Sequence, residues 1–187
     1  EEIVKSYKEV QFIQSEKNLG FGKANNLGIK LALKQGADYL FLLNQDAWVN
    51  KNTISELIKT SKIENNFGII SPIHLNGSGS GLDILFSHCI APSIHNLNHF
   101  YFSDLIVDKV KDYYQVPFIN AAAWLLHKDT IERVGLFDDL FYHYGEDENY
   151  CQRLKFHGLK IVFNTKSIIF HDREDRKIKI NNSTQEK

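Results

Sequence analysis

Three stretches hold residues whose types and spacing could do chemistry. The first is YLFLLNQDAWVN, Tyr39 to Asn50, in which an apolar run from Tyr39 to Leu43 turns polar at Asn44-Gln45-Asp46. A carboxylate at the end of a buried strand suits a divalent cation that draws its other ligands from water and phosphate oxygens. A turn residue or a cap for the next helix accounts for Asp46 equally well when this segment is read alone. The second stretch is FYHYGEDENY, where Glu146 and Asp147 follow an aromatic cluster and open a helical pattern. Acids in a first helical turn are stabilised by the helix dipole, which explains them without any function. A carboxylate within ~3 Å of an acceptor hydroxyl could also act as a general base, and the aromatics could stack on a sugar ring or belong to the core. The third is NLGFGKANN, Asn18 to Asn26, where Gly20 and Gly22 let the backbone turn before a helix and free amides could meet a phosphate or ribose. Asn25 stands where a dinucleotide fingerprint would need its third glycine.

Histidines offer less. His95 and His99 are four apart, a spacing for a metal on a helix, but Pro92, Asn96 and Asn98 favour a loop. His171, alone after an apolar run, is as compatible with packing as with ligation.

The elements that must position these residues can be read from periodicity. Glu1–Tyr7 reads as the end of a helix and Val10–Gln14 as a short strand. Ala24, Leu27, Gly28, Leu31 and Ala32 recur at helical spacing, which predicts an amphipathic helix over Phe21–Lys34 with Gly36 as its stop. Tyr39–Leu43 predicts a strand covered on both faces. Thr53 with Glu56 predicts a capping box opening a helix through Ile63, and Phe67–Ser71 a strand ended by Pro72. This alternation favours a parallel α/β sheet. NGSGSG, Asn76 to Gly81, reads as a flexible loop, and the run from Leu82 to Tyr114 has no clear period. Phe118–Leu126 reads as a strand or a buried segment. Asp129 with Glu132 predicts a second capping pair before a short helix ending at Gly135. A helix from Glu146 with Tyr150, Leu154 and His157 on one face closes at Gly158, and Leu159–Phe163 and Ile168–Phe170 read as two short strands. The remainder is polar and expected to fray.

Bulk properties narrow the class. The chain has 187 residues, 43% hydrophobic and 24% charged, with a net charge of -1, as expected of one globular domain. That balance gives no field to draw in nucleic acid. Two cysteines without metal spacing point to a reducing cytosol, and no apolar run reaches the ~18 residues needed to span a bilayer. Membrane association would therefore come from surface contacts or from chain outside this sequence.

Taken in order, these segments resemble the family 2 glycosyltransferases with the GT-A fold, especially rhamnosyltransferase-like members. NLGFGKANNLGIKLALKQGADYLFLLNQDAWV looks like that family's passage from the nucleotide-side loop to its metal-binding aspartate. FINAAAWLLHKDTIERVGLFDDLFYHYGEDENYCQRLKFHGLKIVFNTKSIIFH looks like its acceptor and catalytic half. The resemblance covers about Val10 to His171 and is most specific at Glu146-Asp147 followed by Arg153. It implies an α/β fold, a Rossmann-like and mostly parallel central sheet flanked by helices, with the domain over residues 1–172 and a polar tail at 173–187. It also implies a chain truncated at its N-terminus, because the family's first strand and base-binding aspartate would precede Glu1.

The resemblance assigns roles by position. Asp46 matches the last aspartate of the metal-binding D-x-D, with Asn44 in its first place. Asp147 matches the base that deprotonates the acceptor and Glu146 its acidic neighbour. His171 would complete the metal and diphosphate site. Lys23 and Asn25 fall near the donor nucleotide, and Trp124 and Arg153 join the substrate-binding set. The implied activity is metal-dependent inverting transfer, with Mn2+ or Mg2+, from a UDP- or dTDP-sugar to a glycan or lipid-linked acceptor in the cytoplasm or at the inner membrane face. Two other classes compete: a noncatalytic sugar- or nucleotide-binding module, and a sugar nucleotidyltransferase, which would want a basic glycine-rich loop near its start.

Overall fold

The computed structural model describes residues 7, 9–91, 100–142 and 144–173. The helix expected before Tyr7 and the His95–His99 pair lie outside these residues, as does the tail after Arg173. The elements are α1 (Gly20–Lys34), β1 (Tyr39–Leu43), β2 (Ala47–Val49), α2 (Thr53–Ser61), β3 (Phe67–Asn76), α3 (Ile84–Ile90), α4 (Tyr101–Ile106), β4 (Tyr113–Gln115), β5 (Ala123–His127), α5 (Lys128–Val134), α6 (Glu146–Phe156) and β6 (Lys160–His171).

The strands form one sheet in the order β1-β5-β3-β6-β2, with β4 also paired to β6. This is an α/β fold, and its sheet is mixed rather than mostly parallel: β3–β6 is the one parallel pair among the described residues. The reason is that β5 runs antiparallel between β1 and β3. Because β5 opposes both neighbours, β1, β3 and β6 still share a direction, and their carboxyl ends meet at one edge of the sheet. That edge is where α/β proteins place their ligands. β1 pairs with β5 alone, and its other side, with Ala24, Gly28 and Ala32 of α1, lines an open groove of about 490 Å³.

Pro72 does not end β3, which continues to Asn76. The register between β3 and β6 shifts across Pro72, where Ser71 pairs with Phe163 and Ile73 with Ile168. The four residues Asn164 to Ser167 therefore bulge opposite a proline that has no amide to donate. The same bulge explains why two apolar runs read as separate strands are one, Lys160–His171.

Apolar side chains cover both faces. Trp124, Leu126, Ile161 and Phe163 pack with Phe86, Tyr150 and Leu154 in the larger cluster, while Leu57 of α2 packs on Phe67, Ile70, Leu125 and Val162. α1 turns a different face inward from the one its periodicity suggests. Gly22, Asn26 and Ile29 are buried, whereas Leu27 is exposed. Asn26 belongs inside because its amide brackets Phe137, donating to the carbonyl and accepting from the amide, both at 2.9 Å.

Local chemistry departs from expectation elsewhere. Val10–Gln14 forms no strand, and Val10, Phe12 and Ile13 are exposed, since no ladder partner stands beside them among the described residues. Asn52, not Thr53, is the N-cap of α2; Thr53 instead ties Asn50 to Ile168, and Glu56 pairs with Lys59 at 2.6 Å. α5 is capped by His127, whose Nδ1 accepts from the Asp129 amide, and it stops at Gly135 with φ +88°. Asn76–Gly81 is a hydrogen-bonded turn closed by the Asn76 amide on the Gly81 carbonyl at 2.9 Å.

Candidate active site

At the shared carboxyl edge of the sheet, β1 delivers Asn44 and Asp46 and β6 delivers His171. The turn between β1 and β2 is set by the Ala47 amide on the Asn44 carbonyl at 3.1 Å, and it aims Asp46 toward β6. Asp46 Oδ1 stands 3.2 Å from His171 Nε2, and the Asn44 side-chain nitrogen lies 3.5 Å from the same Nε2. The His171 side chain is buried, whereas Asp46 keeps 21% of its side chain exposed. One oxygen and one nitrogen donor thus converge beside open space.

This pair fits a divalent cation of a particular kind. Adjacent ligands of an octahedral ion at about 2.1 Å stand about 3 Å apart, close to the observed separation. Among the described residues no group of three or more His, Cys, Asp or Glu side chains is gathered as an all-protein metal site. The donor set suits an ion that completes its shell with water and phosphate oxygens.

Glu146 and Asp147 open α6. Gly145, with φ +90°, and Tyr144, with φ +68°, turn the chain sharply into the helix; the left-handed conformation costs about 1–2 kcal/mol at a residue with a Cβ. Three acids, Glu146, Asp147 and Glu148, occupy the first turn, where the dipole favours them. Glu146 is buried, and its Oε2 has no hydrogen-bond partner among the described residues. Asp147 is half-buried and accepts the Glu148 amide at 2.8 Å. Burial pushes the Cys89 thiol up, and the charges of Asp147 and Asp83 add to that.

A cleft of about 640 Å³ joins the strand edge to the loop before α1 and the loop before α6. Gly20, Phe21, Asn25, Asn44, Asp46 and Tyr142 line it. The two loops touch closely: Gly20 has φ +73°, and a Cβ there would overlap the Tyr142 carbonyl oxygen. Asn25 lines the cleft while its amide donates to the Phe21 carbonyl at 3.0 Å. Lys23 is exposed on α1 and does not line this cleft.

Of two residues expected to meet substrate, Trp124 is built into the core and Arg153 is half-buried and tied to the backbone. Trp124 has 0% exposure, stacks on Phe137 at 6.0 Å and donates its indole N–H to the Asn120 carbonyl at 3.1 Å. An enclosed ring cannot stack on a sugar. Trp124→Phe should cost about 1–3 kcal/mol in thermal or urea unfolding, because it leaves a cavity in the core and removes one of two donors to the Asn120 carbonyl, which keeps the Ala122 amide at 2.9 Å, and should leave acceptor KM unchanged. Arg153 donates to Asn149 Oδ1 and to the carbonyls of Val134 and Leu136, at 3.0, 2.9 and 2.7 Å. Its fork clamps the end of α5 to α6, and three of its five N–H donors are used by the fold.

Other residues at the site were not anticipated. Asp83 is the N-cap of α3, accepting the Phe86 amide at 2.9 Å, and its Oδ2 reaches His171 Nδ1 at 3.3 Å and Arg173 Nε at 3.0 Å. Burial pushes the Asp83 carboxyl up, but hydrogen bonds from His171 and Phe86 and the Arg173 charge outweigh it and hold it at about 2. His74 is fully buried, stacked on Phe86, and pushed down to about 3 chiefly by burial, so it is neutral. The pattern Asp83 followed by Ile84-Leu85-Phe86 is an N-cap signal that the sequence did carry. Arg173, which reads as the first residue of the tail, carried none.

Fold and site together define an α/β protein whose polar chemistry gathers at the carboxyl ends of its strands. The chain belongs to glycosyl transferase family 2, whose family model matches residues 1–135. The low-salt glycan biosynthesis hexosyltransferase Agl10 of Haloferax volcanii is 25% identical over 157 residues, which is 83% of this chain and 50% of that protein. The chain thus spans about half the length of that curated relative. Among solved structures, GalNAc-T7 crystallised with UDP, GalNAc and Mn2+ superposes with a TM-score of 0.62 at 15% identity, over 86% of this chain and 32% of that one. That likeness is one of fold, GT-A.

Proposed function

We propose that this chain carries the catalytic half of a glycosyltransferase that moves a sugar from a UDP- or dTDP-activated donor to a glycan or lipid-linked acceptor with inversion. The observation that carries the reading is the convergence of Asp46 Oδ1 and His171 Nε2, 3.2 Å apart, at a cleft edged by the loop that leads into α6 and its acids. Family membership and a hexosyltransferase relative support the class of reaction.

Asp46 and His171 would hold a divalent cation, Mn2+ or Mg2+, whose charge offsets that of the donor diphosphate. Asn44 and Asn25 offer side-chain hydrogen bonds along the cleft, and Lys23 stands outside it as a cation on the donor approach. Asp147 takes the proton of the acceptor hydroxyl as that oxygen bonds to the anomeric carbon. The bond from the anomeric carbon to the diphosphate oxygen breaks, and its electron pair leaves with the nucleoside diphosphate. Attack opposite the leaving group inverts the anomeric centre. Glu146, with one buried oxygen unpartnered, is an acceptor for a hydroxyl of the bound sugar.

No helix among the described residues is long and apolar enough to cross a membrane. The reading puts transfer in the cytoplasm, with a lipid-linked acceptor met at the inner membrane face by surface contact. The test is incubation of the protein with a panel of UDP- and dTDP-sugars, Mn2+ and glycan acceptors, with product analysis. Release of nucleoside diphosphate with a new glycosidic bond of inverted configuration supports the proposal. Pyrophosphate production would mark a nucleotidyltransferase, and binding without turnover a noncatalytic module.

A further inference from the structure

We propose that Asp83 is a positioning residue: it accepts the Nδ1–H of His171 and so holds the imidazole with Nε2 turned toward Asp46. Both side chains are almost fully enclosed, Asp83 at 2% and His171 at 1% exposure, so water cannot substitute for either partner. Asp83 divides its two oxygens. Oδ1 caps α3 through the Phe86 amide at 2.9 Å, and Oδ2 lies 3.3 Å from His171 Nδ1 and 3.0 Å from Arg173 Nε. A carboxylate oxygen can accept two donors, so Arg173 and His171 share it.

Two contacts favour the other tautomer. Arg173 Nε donates to His171 Nδ1 at 3.2 Å, and Asp46 Oδ1 stands 3.2 Å from Nε2, where an Nε2–H would reach it. Asp83, at 2% exposure against 21% for Asp46, has no water to replace a missing donor, and that burial assigns the ring proton and the Arg173 N–H to Asp83. The Asn44 amide agrees, since a donor approaches Nε2 at 3.5 Å. Metal-binding histidines are generally oriented in this way, by a carboxylate on the nitrogen away from the ion. The effect on metal affinity rests on the reading given under Proposed function; the hydrogen bond does not.

The test uses Asp83→Asn and Asp83→Ser, both good N-cap residues, so that α3 can still start. In the asparagine variant the oxygen that caps Phe86 leaves an NH2 facing Nδ1, donor against donor; serine is too short to reach. In metal-free protein labelled with 15N-histidine, the wild type should show a slowly exchanging imidazole N–H on His171 Nδ1, absent from both variants. Titration of Mn2+ in the presence of UDP should then show affinity lowered roughly ten- to a hundredfold. A wild-type ring protonated on Nε2 alone overturns the proposal, and that result needs no variant to fold. So does an Nδ1–H that persists in either variant, or Mn2+ affinity within twofold of wild type where the signal is gone. A wild type with the Nδ1–H that ignores Mn2+ keeps Asp83 in this role and removes the cation from the proposed function.

Discussion

Asp147→Asn should lower transfer by two to four orders of magnitude while nucleotide binding stays within about twofold of wild type. Asparagine keeps the volume and can still accept the Glu148 amide that Asp147 Oδ1 holds at 2.8 Å. It cannot take a proton. What disappears is the base, together with one charge in the first turn of α6, worth about 0.3–1 kcal/mol of stability. The two losses separate cleanly in measurement, because unfolding reports the dipole contribution and turnover reports the base. Glu148→Gln supplies the control: it removes a neighbouring charge from the same turn and should leave turnover near wild type. If Asp147→Asn retained most of its turnover, the base would have to be sought elsewhere, with Glu146 the next carboxylate along.

How much of this was legible in the sequence depended on the range of the interaction. β1 has the limits its short apolar run and flanking turn signals predict, but it is an edge strand covered less than expected, with Leu40 and Leu42 buried and Leu43 exposed. The limits of α6 were legible in the same way, opened by Gly145 and followed by Gly158 with φ +71°. Asp46 and His171 are both candidates in the sequence, yet their approach over a separation of 125 positions comes only from the fold-family resemblance or the structure. The misreadings share a cause. Asn26 looks like an outward-facing polar residue until its partner Phe137, 111 residues away, is known. Trp124 and Arg153 carry groups typical of binding sites, and nothing local reveals that Asn120, Val134 and Leu136 already occupy their donors. Pro72 signals a strand end by every local rule, and only the bulge in β6 permits the ladder to continue past it. Periodicity thus locates elements and leaves the satisfaction of buried polar groups unread.

Asp46→Ala should abolish the Mn2+-dependent part of UDP binding and lower transfer by roughly a hundred- to a thousandfold, the range seen when one group stabilising transition-state charge is removed. The fold should survive the change. The contact that continues the sheet past β2 at this point is made by the Asp46 backbone, whose carbonyl accepts the Asp172 amide at 2.8 Å, and alanine keeps that carbonyl. The substitution also separates the two original readings of this carboxylate. A residue needed only for its turn would lower the melting temperature of the metal-free protein and leave any response to Mn2+ and UDP intact. A ligand would leave the metal-free melting temperature nearly unchanged and erase the response, which at a hundredfold excess over Kd amounts to about 2.7 kcal/mol of stabilisation. Melting curves of both proteins, with and without Mn2+ and UDP, distinguish these outcomes without any acceptor being identified. Should Asp46→Ala respond to Mn2+ and UDP as the wild type does, the cation is not held at this edge, and His171 would then be a packed histidine bridging two carboxylates.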